Sequence, residues 1–296
     1  MVKRFLRFGN GLFSFVTALA LAMAVLYAGY ALWDNGQIYA AAENVMTEAQ
    51  SIKGQLDLMP RAATVTENRD TKESAEPEQS TETDNGNGEA QETELQAMFR
   101  QLQAINPDIC AWVTMQDTAI DYPVVHSANN IDYVSTDIYG RFAIVGSIFL
   151  DFRNINDGTD TYNLLYGHNM SEHRMFSDVN LYKEEKFFNE NHRGAYYTPE
   201  GAHWLETISI ILTNSGDSIV FNPEPWERIS YDDVLENVQK NAVFINEAGL
   251  EALKAKIEAG VQPHIVALST CSNEFTEART ILLTLMDPDV VSTAEQ

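Results

Sequence analysis

From Gly11 to Trp33 the chain carries no charge, and Phe13, Phe15, Val16, Leu19, Leu21, Val25, Leu26 and Leu32 supply large apolar side chains throughout that run. A helix rises about 1.5 Å per residue, so the run spans a hydrocarbon core roughly 30 Å thick. Lys3, Arg4 and Arg7 precede it and Asp34 follows it. The positive-inside bias therefore places residues 1–10 in the cytoplasm, residues 11–33 across the membrane as an anchor, and the rest of the chain outside. A cleaved signal peptide is the competing reading, because Ala20-Leu21-Ala22 and Ala22-Met23-Ala24 resemble small-residue cleavage sites. The apolar run continues well past both sites, which favours the uncleaved anchor.

Residues 34–60 have helix-forming composition up to Leu58, and Pro60 ends it; this reads as a juxtamembrane helical stalk. Residues 61–92 are rich in Glu, Thr, Ser, Asn and Gly, including Asp84-Asn85-Gly86-Asn87-Gly88. Such a stretch buries too little apolar surface to offset its ordering entropy, so it reads as an acidic disordered linker, a solvated spacer in preference to a binding tail. The formal net charge of −24 excludes most nucleic-acid binders, which need basic surface against phosphate. Order resumes at Thr93, and residues 93–296 form the folded domain.

Thr93 and Gln96 have the spacing of a capping box for a helix carrying Leu95, Met98, Phe99, Leu102 and Ile105 on one side, and Asn106-Pro107-Asp108 stops it. Short strand-like runs follow at 109–114, 120–125, 147–150, 162–166, 195–198 and 207–213. Only short polar turns separate most of them, a spacing that predicts an antiparallel barrel or sandwich. Helical patterns then open at Ser230 and at Asn246, and Gly260 closes the second. The last two strands are His264 to Cys271 and a run following Arg279. The fold is mainly β, with helices before the sheet and a helical insertion before the strand that ends in Cys271.

Two cysteines in an extracytoplasmic chain can form a disulfide. Cys110, in Ile109-Cys110-Ala111-Trp112-Val113, instead suits a small apolar side chain packed in a buried strand. Cys271 sits between polar Ser269-Thr270 and Ser272-Asn273-Glu274, where an apolar strand pattern stops. A buried structural cysteine is the bland reading; a nucleophile at a strand mouth is the sharper one. Thiolate chemistry needs a proton carrier, and His168 follows an apolar strand ending in Tyr166-Gly167. Arg279 is either a surface ion-pair partner of Glu274, Glu277 or Asp289, or a cleft-facing donor for an oxyanion or a substrate. His126, His173, His192, His203 and His264 lie in polar or isolated settings. There is no HExxH and no CxxC, so no metal site stands out; no cofactor is expected, and the chemistry, if any, is covalent.

Ile120-Asp121-Tyr122-Pro123-Val124-Val125, Gly146 to Asn154 (GSIFLDFRN), Tyr166-Gly167-His168-Asn169-Met170 and Leu268-Ser269-Thr270-Cys271 with Arg279, behind an N-terminal anchor, resemble the sortases, and among them class B. The likeness covers roughly Thr93 to Asp287. It implies an eight-stranded sortase β-barrel with N-terminal helices and a class B helix in the stretch from Ser230 to Ile257. By that resemblance Cys271 is the nucleophile, His168 the proton carrier and Arg279 the residue that holds substrate and steadies the oxyanion. Asn130 and Val134, in Asn130-Ile131-Asp132-Tyr133-Val134, and Ser269 are implied to line the sorting-signal groove. The implied partners are secreted proteins bearing a sorting signal and an amine acceptor, either peptidoglycan or a pilin lysine, on the outer face of a Gram-positive membrane. The segment from Ile219 to Tyr231 differs from the family's loop. Two readings of other classes stand beside this one: an extracytoplasmic cysteine protease that lets water resolve the thioester, and a non-enzymatic anchored binding domain.

Overall fold

Strand alternation sorts the apolar residues into an inside and an outside. In β1 (Ile109–Met115) Val113 and Met115 belong to one buried cluster while Trp112 belongs to another, as a pleated strand with both faces covered requires. The computed structural model describes residues 2–54, 93–223, 231–271 and 276–287. The linker expected at 61–92, the end of the stalk at Pro60, the helix start at Ser230 and residues 272–275 lie outside the described residues. The remaining strands are β2 (Asp121–His126), β3 (Ile148–Leu150), β4 (Tyr162–Tyr166), β5 (Arg193–Thr198), β6 (Gly201–Asn214), β7 (Ala242–Ile245), β8 (His264–Cys271) and β9 (Ala278–Met286). They run in the order β5-β1-β2-β3-β4-β8-β9-β6, and β5 pairs with β6 to close an eight-stranded barrel.

The long strand β6 makes the closure possible. Its first half, from Gly201, pairs with β5, and from Leu205 onward it pairs with β9. β7 occupies the flank of β6 beyond β5 as a ninth strand outside the ring. The expectation of an all-antiparallel arrangement is corrected at two places: β2 pairs with β3 and β4 with β8 in parallel. A parallel pair needs a connection of about a dozen residues or more to return the chain to the same end. The segment between His126 and Ile148, with its 3-10 turn Asp132–Val134, is such a crossover.

Val113, Val124, Leu150, Leu165, Val266, Leu268 and Leu282 fill the barrel interior. Two sets of helices cover the outside. α2 (Glu94–Ile105) carries the expected capping box and buries Leu95, Met98, Phe99 and Leu102 against Trp112 and Tyr197. On another face, α4 (Tyr231–Asn241) and α5 (Glu247–Glu258), the latter capped by Asn246 as expected, bury Val238, Leu250 and Leu253 over β4, β8 and β9. α3 (Glu185–Glu190) is a short turn of helix behind a 3-10 segment, Ser177–Lys183. The helical insertion expected from Ser230 to Ile257 is therefore two helices interrupted by β7, whose Val243, Phe244 and Ile245 favour an extended chain.

α1 (Val2–Lys53) is continuous and takes in both the expected anchor and most of the stalk. Its Phe15–Trp33 portion, with mean hydropathy 2.0 and no part buried, is long and apolar enough to cross a membrane. The other end is docked. Met46, Ala49 and Ile52 pack into the α2 cluster, and the Lys53 ammonium sits 5.2 Å from the Trp112 ring centre and 5.5 Å from that of Tyr197. Lys53 pairs with Asp121, which also accepts the Trp112 indole N–H at 2.7 Å. Burial lowers the Lys53 pKa and the Asp121 carboxylate opposes that shift. Burying such a patch is worth roughly 2 kcal/mol, so a chain beginning at residue 93 should fold but melt about 4–8 °C below one retaining the docked helix. Equal melting temperatures would show that the docking adds no stability.

Candidate active site

Three strand ends meet at one mouth of the barrel. The antiparallel register of β8 and β9 sets Cys271 directly across from Arg279. The parallel register of β4 and β8 sets Tyr166 beside Ser269, and His168, in the turn just past Tyr166, lines the same cleft as Cys271, just past Ser269. Asn130, Val134, Phe149, Tyr166, Gly167, His168, Ser215, Phe221, Ser269, Thr270, Cys271 and Arg279 surround a single cleft of about 340 Å³. All six residues singled out in the sequence are thus brought together.

The turn that presents His168 depends on a glycine. A Cβ on Gly167 would lie 2.5 Å from Ile148 Cδ1 and 2.6 Å from the Phe176 ring, closer than side chains tolerate. On the facing loop Gly146 has φ +59, and a Cβ there would meet the carbonyl oxygens of Val134 and Tyr133 at 2.5 and 2.6 Å. The first close approach seats the His168 turn against Ile148 and Phe176, and the second seats the Gly146 loop against Tyr133 and Val134. His168 Nε2 lies 2.8 Å from Val134 O. A carbonyl oxygen only accepts, so Nε2 carries a proton and donates it there. The His168 carbonyl in turn accepts from Phe176 N–H at 3.0 Å. Gly167→Ala should cost about 1–3 kcal/mol of stability through overpacking and lower kcat/KM by displacing His168, as thermal melts and peptide kinetics would show. Wild-type values in both would mean the turn has room the geometry denies.

Cys271 is exposed and carries a free thiol; Cys110 is buried and also free, so no disulfide joins them. Burial pushes the Cys110 thiol up to about 12, and its Sγ donates to Val124 O at 3.6 Å. It is the packed thiol that its strand setting suggested. Arg279 Nη1 donates to Ala278 O at 3.0 Å on its own strand. Among the described residues no carboxylate pairs with Arg279; Glu277, one of its three suggested partners, accepts from Ser215 Oγ, and Glu274 and Asp289 lie outside the described residues.

The cleft has an aromatic wall that the sequence reading did not single out as part of the site. Tyr166 stacks on Phe149 with ring centres 5.1 Å apart and on Phe221 at 6.4 Å. Phe149 and Tyr166 are register partners across β3 and β4, so strand alternation alone links them. Phe221 and Ser215 come from beyond β6, in a stretch with no motif. The other histidines stay away from the cleft. Beneath the wall lies Asp151, fully buried. Burial alone would raise its pKa, but hydrogen bonds from Arg153, Asn130 and Tyr166 outweigh that and hold it below the usual carboxylate value. Burial, reinforced by this carboxylate, pushes the Tyr166 hydroxyl up.

No family model matches the chain. Sortase B of Listeria monocytogenes is 30% identical over 192 residues, covering 65% of this chain and 72% of the relative. Sortase B of Staphylococcus aureus is 27% identical over 184 residues, covering 62% and 71%. Among solved structures, a Streptococcus pyogenes class B sortase involved in pilus biogenesis superposes with a TM-score of 0.56 at 30% identity, covering 64% of this chain and 97% of that one. Clostridium perfringens sortase B gives 0.53 at 25%, covering 64% and 99%. With that identity and coverage to curated relatives and the same closed barrel, the chain belongs to the sortase B family, a family of sortase-type transpeptidases.

Proposed function

We propose that this protein is a membrane-anchored cysteine transpeptidase that cleaves the C-terminal sorting signal of secreted proteins and joins them to an amine. The observation that carries this reading is the exposed Cys271 thiol, set in register across from Arg279 and sharing one cleft with His168. The Cys271 thiolate attacks the carbonyl carbon of a threonine in the signal. Arg279 and a backbone N–H hold the tetrahedral oxyanion. Protonated His168 gives its proton to the leaving amine as the C–N bond breaks, leaving a thioester between the threonine carbonyl and Sγ. An amine then attacks the thioester carbonyl, the Cys271 thiolate departs, and the now neutral His168 takes the amine's proton, restoring the starting pair. A peptidoglycan cross-bridge or a pilin lysine is the acceptor; the pilus-related relative keeps the second in play.

Asn130, Val134 and Ser269 line the groove that receives the signal, and no cofactor takes part. The acidic linker and the anchor hold the catalytic domain at the outer face of the membrane, with residues 1–10 inside. Product analysis by mass spectrometry, with and without an added amine, tests the reading. Transfer product should dominate once the amine is present. Hydrolysis product alone, at every amine concentration, would favour the cysteine-protease reading, and no turnover of any peptide would favour an anchored binding domain.

A further inference from the structure

Asp151 lies just past β3, buried, and its two oxygens gather five donors. Oδ1 accepts from the Arg153 backbone N–H at 3.0 Å and from Arg153 Nε at 2.7 Å. Oδ2 accepts from Arg153 Nη2 at 2.7 Å, Asn130 Nδ2 at 2.9 Å and the Tyr166 hydroxyl at 2.9 Å. Arg153 extends the linkage, donating through Nη1 to Asn222 Oδ1 at 2.7 Å and through Nη2 to Phe221 O at 2.8 Å. Three separate pieces of the cleft wall, carrying Asn130, Tyr166 and Phe221, are therefore tied to one carboxylate.

The chemistry of that carboxylate decides what the wall offers. An ionised carboxylate only accepts, so Asn130 must turn its amide nitrogen toward Asp151, while its Oδ1 accepts from Phe152 N–H at 2.9 Å. The amide cannot flip, and among the described residues its second N–H and second lone pair have no partner. Tyr166 commits its only proton to Asp151, and its oxygen takes a hydrogen bond from the Arg153 side chain, so the hydroxyl is held from both sides by the same ion pair. Among the described residues no hydrogen bond joins Asp151 or its partners to the side chains of Cys271, His168 or Arg279, which share the cleft with Asn130, Tyr166 and Phe221. We infer that Asp151, tied to Arg153, is a positioning residue that sets the hydrogen-bonding polarity and spacing of the Asn130–Tyr166–Phe221 wall, and so governs how the sorting-signal peptide is seated without entering the bond-making steps. The inference rests on the transpeptidase reading above.

The test uses the full-length enzyme in detergent and a pool of internally quenched peptides randomised around a fixed threonine. The peptide the wild type cleaves best serves as substrate for all variants. Asp151→Asn replaces an acceptor with a donor facing Asn130 and Tyr166, so KM should rise at least about tenfold while kcat stays within about threefold, the signature of lost seating. Iodoacetamide should label Cys271 at the wild-type rate, which a general loosening of the fold would not leave unchanged. The pool should also show a flattened preference at one position upstream of the threonine. Tyr166→Phe keeps the ring stack and removes one of the five donors; its KM should rise roughly threefold even where Asp151→Asn fails to fold. A wild-type KM in Tyr166→Phe, a kcat loss at constant KM, or an altered Cys271 labelling rate would overturn the inference while leaving the transpeptidase reading in place. A wild type that cleaves no peptide in the pool would bring down that reading, and the inference with it.

Discussion

Cys271→Ala is expected to remove turnover, lowering kcat by at least about 10⁴-fold, because loss of a covalent nucleophile leaves only binding and oxyanion contacts. Cys110→Ala should stay within about threefold of wild type and cost roughly 1 kcal/mol of stability from lost packing. The contrast follows from the two environments. Cys271 is exposed at the cleft, opposite an arginine and sharing that cleft with a histidine. Cys110 lies in the barrel core, its thiol pushed up to about 12 by burial and so held protonated at neutral pH. Steady-state peptide cleavage by both variants is the measurement. Equal loss in the two, or residual turnover in Cys271→Ala, would remove the thiol from the mechanism.

Arg279 carries the next largest expected effect. Among the described residues its guanidinium makes one hydrogen bond, to the carbonyl of its neighbour Ala278, so little of the described fold depends on it. A planar fork can place two donors on an oxyanion and a substrate carbonyl; a lysine ammonium is a single point and cannot. Removing a preorganised donor of this kind typically costs about 10² to 10³ in rate. Arg279→Ala and Arg279→Lys should therefore both lose at least roughly tenfold in kcat/KM, with melting temperatures close to wild type. Near-normal activity in Arg279→Lys would reduce the residue to a general electrostatic role and shrink the constellation to Cys271 and His168.

Much of this architecture was legible from local signals. The capping box at Thr93 and Gln96, the cap at Asn246 and the strand ending in Cys271 reappear where local chemistry placed them. Short-range rules predict such features because the partners lie within a few residues. The parallel pairings were not visible, since direction depends on how the chain between His126 and Ile148 crosses the barrel, and apolar periodicity carries no such information. β7 was hidden inside a helical stretch because four extended residues between two helices leave only a brief pattern. Lys53 seated over Trp112 joins residues far apart in the chain, and composition alone reads that segment as a free stalk.

The site divides the same way. His168, Cys271 and Arg279 each stand at a strand end with a recognisable local motif. Phe221 and Asp151 each contact Tyr166, and although Asp151 lies inside the GSIFLDFRN run that carries the resemblance, nothing local in that run marks it as a partner of the cleft wall. Its complete burial beneath five donors is what the structure adds.

Intact-mass analysis of the enzyme during turnover addresses the covalent transfer most directly. With a cleavable peptide and no amine, the account predicts a mass increase equal to the fragment ending in threonine, mapped by digestion to Cys271. On addition of an amine nucleophile that adduct should vanish as the amide-linked product appears. An enzyme that cleaves the peptide with no adduct on Cys271, or whose adduct yields only the free acid at saturating amine, would contradict it.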